Sequence, residues 1–193
     1  MAIDATCLWA SVDDVKPWLR LLPSDVKADG VLEQLANAAT AELERLTGRV
    51  FVSRSITDRF DSRRRARFPL RGYPVTAIDT FTIDGVAVDA SLYSLDSEAG
   101  VLTLRAGAWW SSTGVDDVVV TYTAGYARAS VPAGVLQAGV ELLAFTYQQW
   151  ASGLANLSSA QLGGASFSPA GAMPWALKDR IESLRLEVRA GLA

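Results

Sequence analysis

The chain has 193 residues, half of them hydrophobic and a fifth charged, with a net charge of −3. This suits one domain with an elaboration, or two very small domains, around a packed core, and it argues against a protein whose whole surface binds nucleic acid. A single cysteine, Cys7, and no histidine exclude an internal disulfide and Ser–His or Cys–His nucleophile pairs, and they leave a zinc site without its usual ligands.

In chain order, Ser11–Leu22 reads as a short helix. Ser11 stands as N-cap with Asp14 at the third position, and Val12, Val15, Leu19 and Leu22 share one face. Pro17 lies far enough inside to shorten or kink it. The next helix, VLEQLANAATAELERLTG, carries an apolar stripe of Leu32, Leu35, Ala39, Leu43 and Leu46 and stops at Gly48, a natural left-handed C′ residue.

The period then changes. Val50–Val52, Ser55–Thr57 and Phe68–Leu70 are short extended candidates. PVTAIDTFTIDGVAV reads as a hairpin, with Val75, Ala77, Asp79, Phe81 and Ile83 on one face and a type I′ turn at Asp84-Gly85. SLYSLDSEAGVLTL gives two further strands around Glu98–Gly100, and Asp116–Ala127 a β-branched strand ending at Gly125. Helical spacing returns after Val131-Pro132, with apolar residues at 135, 136, 139, 140, 143 and 147. A Gly/Ser/Ala-rich stretch from Ser152 reads as a flexible loop, followed by an amphipathic helix with a stripe of Leu177, Ile181, Leu184 and Val188. No apolar run is long enough to span a bilayer and no secretory leader pattern opens the chain, so a soluble, cytoplasmically made protein is expected.

The expected fold is α+β: a small helical bundle with two N-terminal and two C-terminal helices and an inserted, mainly antiparallel sheet. The segments are 1–48, 49–130 and 131–193, forming one compact domain.

Few residues suggest chemistry. Asp13-Asp14 and Asp116-Asp117 are adjacent carboxylates; neighbours on a strand point to opposite faces, and Asp14 is explained by capping. Neither GxGxxG nor GxxxxGK[ST] occurs. No catalytic, metal or cofactor residue is expected.

The sharpest feature is charge. Eight arginines between Arg49 and Arg71 face only Asp58 and Asp61, and RRRAR places four arginines in five residues. They cannot all face one way on a strand, so a loop tip or hairpin edge is expected. Arg63, Arg64, Arg65, Arg67 and Arg71 are candidates for contact with phosphates or carboxylates, against the plainer reading of a solvated loop. Trp109, Trp110, Trp150 and Trp175 serve either as packing residues or as interface anchors.

The order of pieces also resembles a known family. Ala41, Glu44, Arg45, Thr47–Arg49 and Phe51 form one pattern; Pro69-Leu70 followed by Tyr73–Val75 and Ile78 forms a second; Val120, Tyr122–Tyr126, Val131-Pro132, Leu136, Ala138 and Leu142 form a third. Together they resemble the head–tail connector (adaptor) proteins of long-tailed phages and phage-derived gene transfer agents, over roughly residues 11 to 150. The arginine run is outside the pattern.

The resemblance implies a structural protein without catalysis: a ring, typically of twelve copies, under the portal. The ring would continue the DNA channel toward the next neck, stopper or tail protein, in a particle assembled in a bacterial cytoplasm. The Ser152–Ala193 region would reach the portal; the interface candidates are Trp109, Trp110, Trp150, Trp175, Leu177, Ile181, Leu184 and Val188. The alternative is a nucleic-acid-binding module using Arg63–Arg67, with Phe60, Phe68 and Tyr73 for stacking.

Overall fold

The computed structural model describes residues 3–62, 65–105, 115–152, 161–162, 165–166 and 174–189; at 161–162, 165–166 and 185–189 it describes backbone alone. The chain divides into two units, Met1–Thr47 with Pro132–Leu186, and Gly48–Val131 with Glu187–Ala193.

The first unit is helical. The expected helix at Ser11–Leu22 is instead two 3-10 turns, Val12–Asp14 and Lys16–Leu19. Asp14 accepts the backbone N–H groups of Ala10 and Ser11 at 3.0 and 2.9 Å, the acidic half of the anticipated capping box. Pro17 falls in the first turn of the second piece, where its missing N–H is harmless, and Arg20 closes that piece in the left-handed conformation (φ 57). The stripe therefore ends early: Val12 and Val15 are buried, whereas Leu22 is exposed.

Helix α1 spans Asp29–Thr47. Its buried face is Leu32, Ala36, Ala39, Thr40, Leu43 and Thr47, with Leu35 and Leu46 half-buried. The face is rotated from the leucine stripe because Thr40 and Thr47 can be buried: their hydroxyls donate to the carbonyls of Ala36 and Leu43 at 3.0 and 2.8 Å. Gly48 has φ 71, as a helix-ending glycine should.

Helix α2, Ala133–Ala151, packs on α1. In α2, a Cβ at Gly139 would lie 2.9 Å from Leu8 Cδ1, so glycine is what lets the buried Cys7–Trp9 segment approach. Helix α3 spans Trp175–Arg189; Leu177 and Ile181 are buried, Leu184 is half-buried, and the side chain of Val188 is outside the described ones. Arg180 Nη1 lies 2.6 Å from Glu141 Oε1, tying α3 to α2. The stretch read as a flexible loop lies mostly outside the described residues; within it, Gln161–Leu162 pairs antiparallel with Ala165–Ser166.

The second unit is built of strands β1 (Arg54–Phe60), β2 (Arg67–Pro69), β3 (Val75–Ile83), β4 (Val86–Ala87), β5 (Tyr93–Asp96), β6 (Val101–Leu104) and β7 (Val118–Ala124). They form two antiparallel sheets rather than one, with orders β1-β7-β3-β4 and β2-β6-β5. Both sheets contribute to one core, which includes Phe68, Phe81, Leu102, Val118, Val120 and Tyr122. Ring contacts cross between them: Phe60 to Phe68 at 5.7 Å, Phe68 to Phe81 at 6.2 Å and Phe81 to Tyr93 at 5.4 Å. Each fully buried large apolar side chain contributes about 1.5–3 kcal/mol, so this aromatic line is a principal fastening of the two sheets.

Central strand β7 alternates strictly between buried and half-buried positions and pairs on both sides. Asp84 and Gly85 have φ 51 and 77, the geometry a type I′ turn demands. Two register shifts in β3, between Val75 and Ala77 and between Ile78 and Thr80, break its alternation and leave Ala77 and Asp79 exposed. In place of the strand expected at Val50–Val52 there is a single parallel bridge, Val52 to Tyr126, with Val50 N–H donating to the Tyr73 carbonyl.

Candidate interaction surfaces

The arginine run lies between β1 and β2. Because these strands belong to different sheets, the connection crosses from one sheet to the other instead of closing a hairpin, and Arg67 is already in β2. Arg59, Arg65, Arg67 and Arg71 are exposed; Arg63 and Arg64 lie outside the described residues. The crossing is pinned by the aspartates weighed above as chemistry. Ser62 N–H donates to Asp117 Oδ1 at 2.7 Å, and Asp116 N–H donates to Asp61 Oδ1 at 3.0 Å. Among the described residues, Arg59, Arg65 and Arg67 form no ion pair.

Beneath this corner lies a polar network that the sequence reading missed. Asp58, only 2% exposed, points inward from β1. Its Oδ2 accepts the Tyr122 hydroxyl at 2.8 Å and the Arg71 backbone N–H at 2.8 Å, and Arg71 Nε lies 3.7 Å from Oδ1. The Tyr122 hydroxyl in turn accepts Gly72 N–H at 2.9 Å. Burial above all, and then the Asp58 carboxylate, pushes the Tyr122 phenol up to about 12, against the Gly72 N–H, which favours the phenolate. The network joins β1, β7 and the chain after β2, and so fixes where Arg71 projects. The available signal was an acidic residue at an inward position of β1 opposite a strand containing a tyrosine.

In the helical unit, Lys16 is 1% exposed, with Nζ 3.0 Å from both Asp13 Oδ1 and Asp29 Oδ1 and 3.1 Å from the Pro23 carbonyl. The bond to Asp29 is the main influence raising its pKa. Asp13 is thus a counter-ion. Among the described residues, no group of three or more His, Cys, Asp or Glu side chains is placed to hold a metal ion, and no helix is long and apolar enough to cross a membrane.

The aromatics divide. Trp9 is buried, Trp150 is 45% exposed and Trp175 is 79% exposed. Trp109 and Trp110 lie outside the described residues. Trp18, 59% exposed, joins Leu22 and Val26 in an exposed apolar stretch that the sequence reading did not single out. The stacking role expected for Phe60 and Phe68 meets an obstacle: Phe68 is buried in the core, and the half-buried Phe60 ring packs against it. Tyr73 is half-buried beneath the Arg49 guanidinium, 5.8 Å from its ring centroid.

The family model for head completion proteins matches residues 9–170. No curated protein matches the chain. Among solved structures, the chain is similar to one from the neck of an empty gene transfer agent (GTA) particle computed with C6 symmetry, with 23% identity and TM-score 0.68. It is also similar to one from the neck of a native GTA particle computed with C12 symmetry (21%, TM-score 0.65) and one from the virion of a native GTA particle (22%, TM-score 0.66). Each match covers 96% of this chain and 92% of the other. These likenesses concern the fold. The family match runs through most of the chain and both of its units: the chain belongs to the head completion protein family.

Proposed function

We propose that this chain is a structural subunit of the neck of a phage-like particle, assembled in a bacterial cytoplasm, which closes the filled head. Its copies form a ring, twelve in number, beneath the portal; the ring continues the DNA channel and presents a lower face to the next neck or tail protein. The head completion family match over residues 9–170 carries the reading. The C12 and C6 symmetries named for the similar neck structures support a ring. The role calls for no catalytic group and no cofactor.

Trp150, Trp175 and the Trp18–Val26 stretch are the apolar points that neighbours would cover, since Trp is enriched where interfaces bury area. The segment from Ser152 onward is the part we assign to the portal, with exposed Trp175 as its contact; Leu177 and Ile181, expected at that interface, are buried within the helical unit and so anchor α3 instead of meeting the portal. Trp109 and Trp110 are assigned to neighbouring subunits. Arg63, Arg64, Arg65, Arg67 and Arg71 pair with protein carboxylates rather than DNA: a channel that DNA must traverse quickly is poorly served by phosphate contacts, each of which adds salt-dependent affinity.

The test is the native mass of the purified chain, alone and mixed with the portal and other neck proteins of its particle. A closed ring, or incorporation in a neck complex, is expected. A chain that stays monomeric in every mixture contradicts the proposal.

A further inference from the structure

The strand order sorts charge toward opposite ends of the two sheets, with β1 and β2 at one end and β3/β4 and β5 at the other. Strands β1 and β2 are edge strands of their two sheets, joined by the 61–66 crossing and by the Phe60–Phe68 contact. This edge exposes Arg59, Arg65, Arg67 and Arg71, with Arg63 and Arg64 between them in the sequence. Of the carboxylates at this edge, Asp58 is engaged with Tyr122 and Arg71, Asp61 with Asp116 N–H and Asp117 with Ser62 N–H, while Asp116 is exposed at the same corner.

At the other end of each sheet order stand β3/β4 and β5, brought together by the Phe81–Tyr93 contact. This edge exposes Asp79, Asp84, Asp89 and Asp96; Asp79 Oδ2 also accepts the Thr123 hydroxyl at 3.2 Å, and Asp89 and Asp96 accept the backbone N–H groups of Ser91 and Ala99. Glu98 follows in the β5–β6 turn and is paired with Arg49 at 3.4 Å; the exposed cation nearby is Arg105, whose Nε donates to the Tyr93 carbonyl. The acidic edge also carries exposed Val86 and Leu92, apolar surface of the kind an interface covers.

We infer that the basic β1/β2 edge of one copy docks on the acidic β3/β4/β5 edge of the next copy. The inference rests on the ring reading and names its contact. A surface with one basic and one acidic side repels itself when like edges meet and attracts when unlike edges meet. It therefore disfavours an isologous dimer and favours a heterologous contact that repeats in one direction, as a closed ring needs. Electrostatics of this kind sets partner and register more than raw affinity, and salt screens it over a Debye length of about 8 Å at physiological ionic strength. The occupant is a second copy of this chain: the complementary face is on the same molecule.

The experiment uses two full-length variants, Arg65→Glu/Arg67→Glu and Asp79→Lys/Asp96→Lys, with melting curves establishing that each folds. Assembly is read as native mass, alone and in the neck complex. Each variant alone presents two edges of like sign and is expected to lose the ring. An equimolar mixture is expected to restore it with the two variants alternating, because each reversed edge meets the other's. If the native chain assembles and either variant alone does so equally well, or if the mixture restores nothing, the edge pairing is wrong while the ring stands. If the native chain never assembles, the ring reading itself fails. If the arginine variant assembles normally but loses salt-sensitive binding to a DNA duplex, the arginines face DNA and the inference is overturned.

Discussion

Tyr122→Phe probes the Asp58 network with a change of one oxygen. Tyr122 is fully buried, and its hydroxyl both donates to Asp58 Oδ2 and accepts Gly72 N–H. Removing it deletes a hydrogen bond to a charged group, worth about 1.5–3 kcal/mol, and leaves a buried N–H without that acceptor, at a further cost of about 1–3 kcal/mol. Because Arg71 N–H still serves Asp58, the lower ends apply, and the expected loss is about 2.5 kcal/mol. Urea unfolding of the purified chain would read it as a lowered midpoint at unchanged slope.

The same group has a pH signature. The folded pKa of about 12 stands above the ordinary 10.0, so the folded state holds this proton more tightly than the unfolded chain. The contribution is full below pH 10 and falls as pH rises toward 12, by at most about 3 kcal/mol. Tyr122→Phe should lack that alkaline limb. A loss under about 1 kcal/mol at neutral pH, or an unchanged alkaline limb in the variant, would refute the reasoning.

Other outcomes follow from the same geometry. Gly125→Ala should destabilise by about 3 kcal/mol in the same unfolding assay, because Gly125 has φ +96 and a Cβ there would meet the Val52 backbone at 2.8 Å. Lys16→Met should lower the melting temperature by leaving half-buried Asp29 without its cation, and adding Asp29→Asn should recover part of the loss. Leu43→Ala, at the centre of the α1 buried face, should cost about 2–5 kcal/mol in the urea midpoint. Trp175→Ala should leave the melting of the free chain unchanged within about 0.5 kcal/mol, since Trp175 is exposed, yet weaken incorporation into the neck complex read by native mass.

Local pattern carried much of the fold. Helix α1 was legible in its 3.6-residue spacing and its closing Gly48, and the β3–β4 turn was legible in Asp84-Gly85, because such signals depend only on neighbouring residues. What depends on distant partners was hidden. Nothing local says that β2, β5 and β6 leave the first sheet, or that β3 pairs with β7 through two register shifts. The first helix failed at Arg20, whose left-handed backbone is a tertiary outcome rather than a propensity.

The same division holds for the surfaces. The arginine run announced itself by composition, but Asp58 looked like an ordinary charged residue until β1 turned it inward toward Tyr122. Phe60 and Phe68 looked available for stacking, and packing between the sheets claimed them. The acidic edge was invisible in the sequence because only strand order sets β5, with Asp96, at the same end as the β3–β4 hairpin, with Asp79, Asp84 and the following Asp89.

The most direct test of the account is electron microscopy of particles from cells producing this chain with a compact C-terminal label. The account predicts label density at the junction of head and tail, repeated with rotational symmetry, and heads that lack a tail when the chain is withheld. Complete, tailed particles without the chain, or label found only on free monomer, would contradict it.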